Sequence, residues 1–563
     1  MNPSSNSLSR SADSLALSTS FIELFYHWEK VKADEVYLRQ PQNGKWTDYT
    51  WKEVGNQARR MATALKSMGL PPQSNIAMIS KNCAHWIICD MAIKMSGHVS
   101  VPFYPNLTPD QLRQLMDHSG SKVLFVGKLD DLEVVETGVP NGVRMISFPI
   151  SPAKRVEKWD DIVARHEPQT ENYIPPTDDL ETIIYTSGTT GEPKGVMITH
   201  GINAAVIEPI LSFTQINQIE GRFFSYLPLN HVAERALVEG GSLMNGGVIY
   251  FAESVDTFAD NLREARPTIF LAVPRIWTKF QMGILEKLPQ EKLDRLLRIP
   301  IISRLIKRKI KKGLGLDKAI WLVSGAAPIA YTTVEWFKQL DIHISEAYGM
   351  TENNAVCSVN HKDNIRIGTV GQIYPGCEVK IIPETSEIIM KAPWNMKGYF
   401  KNPSMTDAIL KDGWLYTGDM GEIENGFLKI TGRVKDMFKT AKGEYIIPVP
   451  MERMFSSNTL IEQVCIVGYG LPQPFALVNL SEYSRHIEKA EVEESLTQTL
   501  HAVNNSVTDY EKVNRVVVTA DTWTVENGLL TPTLKVRRNV MDARYKVRME
   551  EWYNQGGEVV IWE

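Results

Sequence analysis

Residues 185–195 read Tyr-Thr-Ser-Gly-Thr-Thr-Gly-Glu-Pro-Lys-Gly, between two strand-like runs at 180–184 and 196–200. Glycines let a backbone turn tightly enough for its N–H groups to face inward. Ser187, Thr189 and Thr190 add hydroxyl donors, and Lys194 adds a mobile positive charge. Together they form a cradle for a polyphosphate. Two commoner cradles are excluded by spacing. No Gly-Lys-Ser/Thr closes the run as in a Walker A loop, and no Gly-x-Gly-x-x-Gly turn is present. The ordinary alternative is a flexible polar hairpin.

Five further runs carry groups of the right kind. Tyr348-Gly-Met-Thr-Glu352 offers an aromatic face for a purine, a hydroxyl for a phosphate and a carboxylate for Mg²⁺. Ser324-Gly-Ala-Ala-Pro328 is small enough for a flat ring to approach the backbone, although such turns are common. Asp419, in Tyr416-Thr-Gly-Asp419, can accept from both hydroxyls of a ribose. Gly432-Arg-Val-Lys-Asp436 reads alone as a charged linker, and Lys535, beside Val536-Arg-Arg, as a surface charge.

In this chain order the runs resemble the phosphate loop and later signatures of the AMP-forming, adenylate-forming enzymes. These are the acyl-CoA synthetases, luciferases and peptide-synthetase adenylation domains. The resemblance covers nearly the whole chain, and it implies a role for each position. Thr186, Ser187, Gly188, Thr189, Thr190, Gly191 and Lys194 would grip the phosphates of ATP. Gly325, Ala326, Ala327, Glu346, Ala347 and Gly349 would line the nucleotide site, with Tyr348 stacked on adenine. Thr351 would contact the α-phosphate, and Glu352 would bind Mg²⁺ with Thr186. Asp419 would hold the ribose and Arg433 the ribose or a phosphate. Lys535 would be the mobile catalytic lysine, Lys435 the hinge, and Lys442, Gly443 and Glu444 part of a loop that enters for a second half-reaction. The run 227–235, Leu-Pro-Leu-Asn-His-Val-Ala-Glu-Arg, resembles the wall of an acyl pocket, with His231, Val232 and Gly325 at the pocket. His231 is either a participant there or only a lining residue. Residues 273–277 are a further family-like segment. Leu530-Thr-Pro-Thr-Leu-Lys535 has leucine where the family often has glycine, as in long-chain acyl-CoA synthetases.

The implied reaction joins a fatty acid to ATP, giving acyl-AMP and pyrophosphate, and then passes the acyl group to the thiol of CoA. Lys535, Glu352, Thr351 and His231 form the implied catalytic set. A fatty acyl-AMP ligase serving a carrier protein, a medium-chain or aryl acid–CoA ligase, and a catalytically dead nucleotide-binding regulator are the alternatives. Retention of Lys194, Glu352, Asp419, Arg433 and Lys535 speaks against the last.

The elements that must position these groups follow from pattern. A chain of 563 residues, 43% hydrophobic and 23% charged, is globular and long enough for several domains. Its net charge of −5 argues against nucleic acid as a partner. Five scattered cysteines form no C-x-x-C pair, favouring buried thiols and a cytoplasmic setting. No apolar run approaches a membrane span. Residues 1–20 read as a disordered leader. Capping boxes at Thr50–Glu53 and Thr108–Gln111 predict two helix starts. Strands alternating with helices predict doubly wound α/β sheets. The expected fold class is therefore α/β. It has a large N-terminal domain over 21–432, built of two doubly wound subdomains plus a β-barrel-like subdomain at about 366–432. A hinge at 433–436 and a mobile α+β C-terminal domain over 437–563 follow. Residues 296–316 carry seven basic residues beside an isoleucine stripe. They read first as a surface helix packed on its own domain, and second as peripheral contact with the inner face of a membrane. Composition leaves the oligomeric state open between monomer and homodimer.

Overall fold

Both capping boxes are formed. Thr50 Oγ1 accepts from the Glu53 N–H at 3.2 Å, and Glu53 accepts from the Thr50 N–H at 2.7 Å, opening helix Trp51–Ser67. Thr108 and Gln111 repeat the exchange at 3.3 and 2.9 Å, with Pro109 first in helix Pro109–Ser119. The structure, a computed structural model, describes residues 20–186, 193–525, 527–531, 535–554 and 559–563. The expected leader therefore lies outside the described residues except for Ser20, which caps helix Phe21–Val31.

Two large sheets carry the first three-quarters of the chain. In the eight-stranded sheet, Asn75–Ile79, Val99–Phe103, Val123–Val126 and Arg144–Ser147 run parallel. Beside Val99–Phe103 lies the antiparallel hairpin Leu180–Thr186 and Lys194–Thr199, whose register sets Thr186 opposite Lys194. Helix Ala84–Ser96 is buried along its whole length: most of it is apolar, and its Asp90 and Lys94 pair at 2.8 Å.

The fourteen-stranded sheet has a parallel half: Val36–Gln42, Val248–Phe251, Arg222–Ser225, Ile269–Ala272, Trp321–Ser324 and Ile344–Tyr348. From Ile344–Tyr348 it continues antiparallel through Ser358–Val359 and Gln372–Ile373 to the hairpin Trp414–Glu424 and Phe427–Arg433. The β-rich segment is thus hydrogen-bonded onto the parallel strands as their extension.

A four-stranded mixed sheet follows: Ile461–Val467, Phe475–Leu480, Val516–Val518 and Val560–Trp562. Helix Lys489–Asn504 covers one face through Val492, Leu496, Leu500 and Val503. Helix Arg538–Asn554 covers the other through Met541, Tyr545, Met549 and Trp552. Both sets repeat at three to four residues, the helical period.

The basic segment differs from its expectation in one respect. Residues 296 and 297 end a separate helix, Gln290–Leu297, and the segment's own helix, Pro300–Leu314, follows. Pro300 starts the second, and a residue before proline disfavours helical backbone, so the first must end before Ile299. Ile306, Ile310 and Leu314 pack onto the domain's own core, as the first reading of the stripe requires.

Candidate active site

The site lies where the parallel strands of the large sheet end, the usual place for ligands in such sheets. Strand Trp321–Ser324 leads into the small turn, where Ala326 has φ +66°, a left-handed conformation rare for alanine. Such an outlier marks a backbone held by its surroundings. Strand Ile344–Tyr348 leads into Gly349. A Cβ there would lie 2.3 Å from the Ala355 carbonyl, so only glycine fits. The next turn, Thr351–Asn353, is a short 3₁₀ helix with all three residues buried.

Tyr348 and Asp419 meet although 71 residues separate them. The Tyr348 hydroxyl donates to Asp419 Oδ2 at 2.6 Å, and Arg433 Nε donates to Oδ1 at 2.8 Å. Asp419 and Arg433 are register partners across the hairpin, which fixes their approach. Burial and the Asp419 charge both push the Tyr348 phenol well above its usual range, so it stays a donor. A carboxylate has about four lone-pair sites, so Asp419 can still accept from ribose hydroxyls.

Glu352 is 9% exposed and its Oε1 accepts from the Tyr399 hydroxyl at 2.6 Å. Tyr399 sits on the short strand Gly398–Tyr399, which pairs with Lys194–Thr199 and so links Glu352 to the phosphate hairpin. Among the described residues no group of three or more His, Cys, Asp or Glu could cage a metal ion. A single buried carboxylate suits Mg²⁺ if phosphate oxygens and waters supply the other ligands. The residues present therefore fit that ion.

Cations converge on this carboxylate pair. Burial lowers the Lys194 ammonium, Lys435 and Arg433 lower it further, and Glu352 opposes them. Burial also lowers Lys535, followed by Arg433, with Asp419 and Glu352 opposing. Lys535 as a whole is exposed, so protein atoms crowd its ammonium without sealing it from solvent. Its backbone is fixed by Thr531, whose N–H donates to the Lys535 carbonyl at 2.8 Å and whose Oγ1 accepts from the Lys535 N–H at 3.1 Å. Lys194, Arg433, Lys435 and Lys535 thus act on one another and on Asp419 and Glu352, and even with Asp436 beside Arg433 the cations outnumber the acids. Such a site attracts a polyanion.

His231 precedes the short helix Val232–Glu234, and its Nδ1 accepts from the Ala233 N–H at 3.3 Å. Burial, then Lys535, lowers its pKa to about 4, so the ring is neutral at pH 7. With Nδ1 accepting, Nε2 carries the hydrogen and is left to donate. Val232 packs with Ile184, Val196, Met396 and Tyr399 against the phosphate hairpin. Glu346 is buried, which raises its carboxyl to about 7 against the pull of Arg453. Ala347 and Gly325 lie close, a Cβ on Gly325 being 3.3 Å from the Ala347 carbonyl. Lys442, Gly443 and Glu444 are exposed at the tip of the hairpin Phe438–Lys439 and Tyr445–Ile446, with Gly443 at φ +86°. Ser187, Gly188, Thr189, Thr190 and Gly191 lie outside the described residues, between Thr186 and Lys194.

Two groups were given no role by the sequence, although Glu234 lies inside the quoted run 227–235. Tyr399 stands in an unremarkable Gly-Tyr-Phe run. Glu234 has its partners, Asn82 and Ser225, in other elements.

A family model described as AMP-binding enzyme matches residues 25–400, and one described as AMP-binding enzyme C-terminal domain matches 435–557. The long-chain-fatty-acid–CoA ligase 5 of Rattus norvegicus is 29% identical over 92% of this chain and 85% of its own. The peroxisomal long chain acyl-CoA synthetase 6 of Arabidopsis thaliana is 29% identical over 87% of this chain and 80% of its own. Among solved structures, the adenylation domain of a carboxylate reductase from Mycobacterium chelonae superimposes with a TM-score of 0.79 at 21% identity, covering 99% of this chain and 98% of that one. An anthranilate CoA ligase bound to anthranoyl-AMP gives 0.76 at 18% identity, covering 95% and 99%. At these identities the structural likeness speaks for the fold.

Proposed function

The chain belongs to the AMP-binding enzyme family, and from that premise we propose that it is an AMP-forming fatty acid–CoA ligase acting on long-chain acids. The observation that supports this reading best is the excess of cations, Lys535 among them, around Asp419 and Glu352. ATP, a fatty acid and CoA are its substrates.

A carboxylate is a poor acyl donor because oxide would have to leave. In the first step its oxygen attacks the α-phosphorus of ATP, and pyrophosphate departs. Negative charge grows on the α-phosphoryl oxygens, where Lys535 places its ammonium. Lys194 and the hydroxyls of the phosphate loop hold the β- and γ-phosphates. Tyr348 stacks on adenine, Asp419 accepts from the ribose, and Thr351 donates to the α-phosphate. Mg²⁺ held by Glu352 with Thr186 would neutralise phosphate charge. The His231 Nε2–H donates to the acyl carboxylate, and a neutral ring suits that role because it neither repels Lys535 nor pairs permanently with the acid.

In the second step the sulfur of CoA, its proton lost to solvent, attacks the acyl carbon; the acyl carbon–oxygen bond breaks and AMP leaves with the electron pair. Lys535 occupies the site in the present arrangement, while Lys442–Glu444 point to solvent. Rotation of 437–563 about Lys435 exchanges them, withdrawing Lys535 and bringing in the hairpin tip.

The test is pyrophosphate release and acyl-CoA formation across acids of graded chain length. We expect both products with long-chain acids. Release only with aromatic acids, or no release with any acid, overturns the reading. Release without an acyl-CoA product would point to an acyl-AMP ligase that uses a different acceptor.

A further inference from the structure

Helix Pro300–Leu314 has no fully buried residue. Its inner face, Ile306, Ile310 and Leu314, packs partly on the large sheet's core. On the outer face Ile301 is 78% exposed and Leu305, one turn on, is 62% exposed; Ile299, just before the helix, is 48% exposed. Three large aliphatic side chains in one stretch of seven residues are thus left in water. Arg308, Lys309 and Lys312 continue the outer face and are exposed, as are Arg298 and Arg304 beside the aliphatic residues. Among the described residues none of these five cations has an ion pair within the chain, whereas Lys307 pairs with Asp341 at 2.9 Å.

A cleft of about 470 Å³ opens along the same helix, lined by Arg304, Lys307, Arg308 and Lys311 with Asp317 and Asp341. Its cations suit a phosphate group. The exposed aliphatic residues gather toward the start of the helix, flanked there by Arg298 and Arg304, and the unpaired cations continue along the outer face to its end. That is the pattern of a helix that sinks its apolar part among acyl chains and leaves its cations at the phosphate level. Nucleic acid would use the cations and leave the aliphatic residues in water. No described helix is long and apolar enough to cross a membrane, so contact would be peripheral.

We propose that the outer face of helix Pro300–Leu314, with Ile299, docks the protein on an anionic lipid bilayer. The inference is independent of the reaction proposed above, because its readout is binding. The test is co-sedimentation of the full chain with phosphatidylcholine vesicles, with and without phosphatidylglycerol. The wild type should pellet with the anionic vesicles and release as salt is raised. Ile301→Asp with Leu305→Asp, and separately Arg304→Glu with Arg308→Glu, should each weaken binding about ten-fold or more. Both variants change exposed residues and should melt like the wild type, which separates lost docking from lost folding. A wild type that ignores anionic vesicles, or variants that bind as it does, overturns the proposal. A dimer split by the aspartates, without vesicle binding, would assign the face to a second copy of the chain instead.

Discussion

Glu234 is a carboxyl kept in its neutral form. It lies behind His231, wholly buried, and burial raises its pKa to about 8 although the Tyr226 N–H donates to it at 3.0 Å. From its ordinary 4.5 up to about 8, the folded protein holds a proton that the unfolded chain releases. Stability contributed by this group is therefore fully present below 4.5 and is lost as pH rises to about 8, with a slope near 1.4 kcal/mol per pH unit. Glu346, raised to about 7, acts in the same direction. His231 and His85, both lowered to about 4, act at the acid end, where the unfolded chain takes up protons first and stability falls as pH drops from 6.5. Glu234→Gln keeps the shape and removes the proton. Thermal melts of the variant should decline less steeply than the wild type's as pH rises toward 8; parallel profiles would contradict a neutral carboxyl at this position. Lys194, Tyr348 and Glu352 each sit in a short run that brings several needed atoms together, whereas Asp419 and Lys535 gained their roles from the order of the runs along the whole chain. Glu234 and Tyr399 had no readable role because the burial of the one and the Glu352 partner of the other depend on distant elements.

At the scale of elements the best-read features were local ones. A capping box is complete within four residues, so Thr50 and Thr108 announced their helices. The break before Pro300 was equally local but was overlooked within a strongly amphipathic pattern. The hairpin Val36–Gln42 and Lys45–Thr50 belongs to the sheet formed some two hundred residues later, since Leu38 pairs with Ile249, and no local pattern reveals such a pairing. Glycines give a direct test of the turn that positions Glu352. Gly349→Ala forces a Cβ against the Ala355 backbone and should cost about 1–3 kcal/mol while weakening ATP binding. Gly283, inside helix Pro274–Lys287, has nothing within 4 Å of an added Cβ. Gly283→Ala should instead stabilise by up to about 1 kcal/mol. Melting temperatures moving in opposite directions would support this packing; equal values would refute it.

For the molecule as a whole, the two large sheets share one apolar core, and a buried ionic network is set into it. Lys94 reaches Asp90 at 2.8 Å, Glu181 at 2.9 Å and Glu239 at 3.5 Å, and Arg235 binds Asp90 at 2.6 Å and Glu239 at 3.1 Å, all buried. Glu181 is the second residue of the strand that leads to the phosphate loop, while Arg235 and Glu239 belong to the segment that follows His231. Lys94→Met would leave buried carboxylates uncompensated and should cost about 3–5 kcal/mol in denaturant melts; a near-neutral change would mean the network contributes little to stability. The last segment is tied to the rest by Arg275 with Glu462 and by Arg453 with the Tyr331 hydroxyl. Polar contacts of this kind would suit the releasing joint proposed above, and they were not legible in a sequence whose run 432–436 reads alone as a charged linker. The central claim is that Lys535 serves acyl-AMP formation and then withdraws. Its most direct test is to measure the two half-reactions separately in Lys535→Ala. Pyrophosphate release should fall at least about 100-fold, while conversion of supplied acyl-AMP and CoA to acyl-CoA stays close to wild type. Equal loss in both half-reactions would contradict the account.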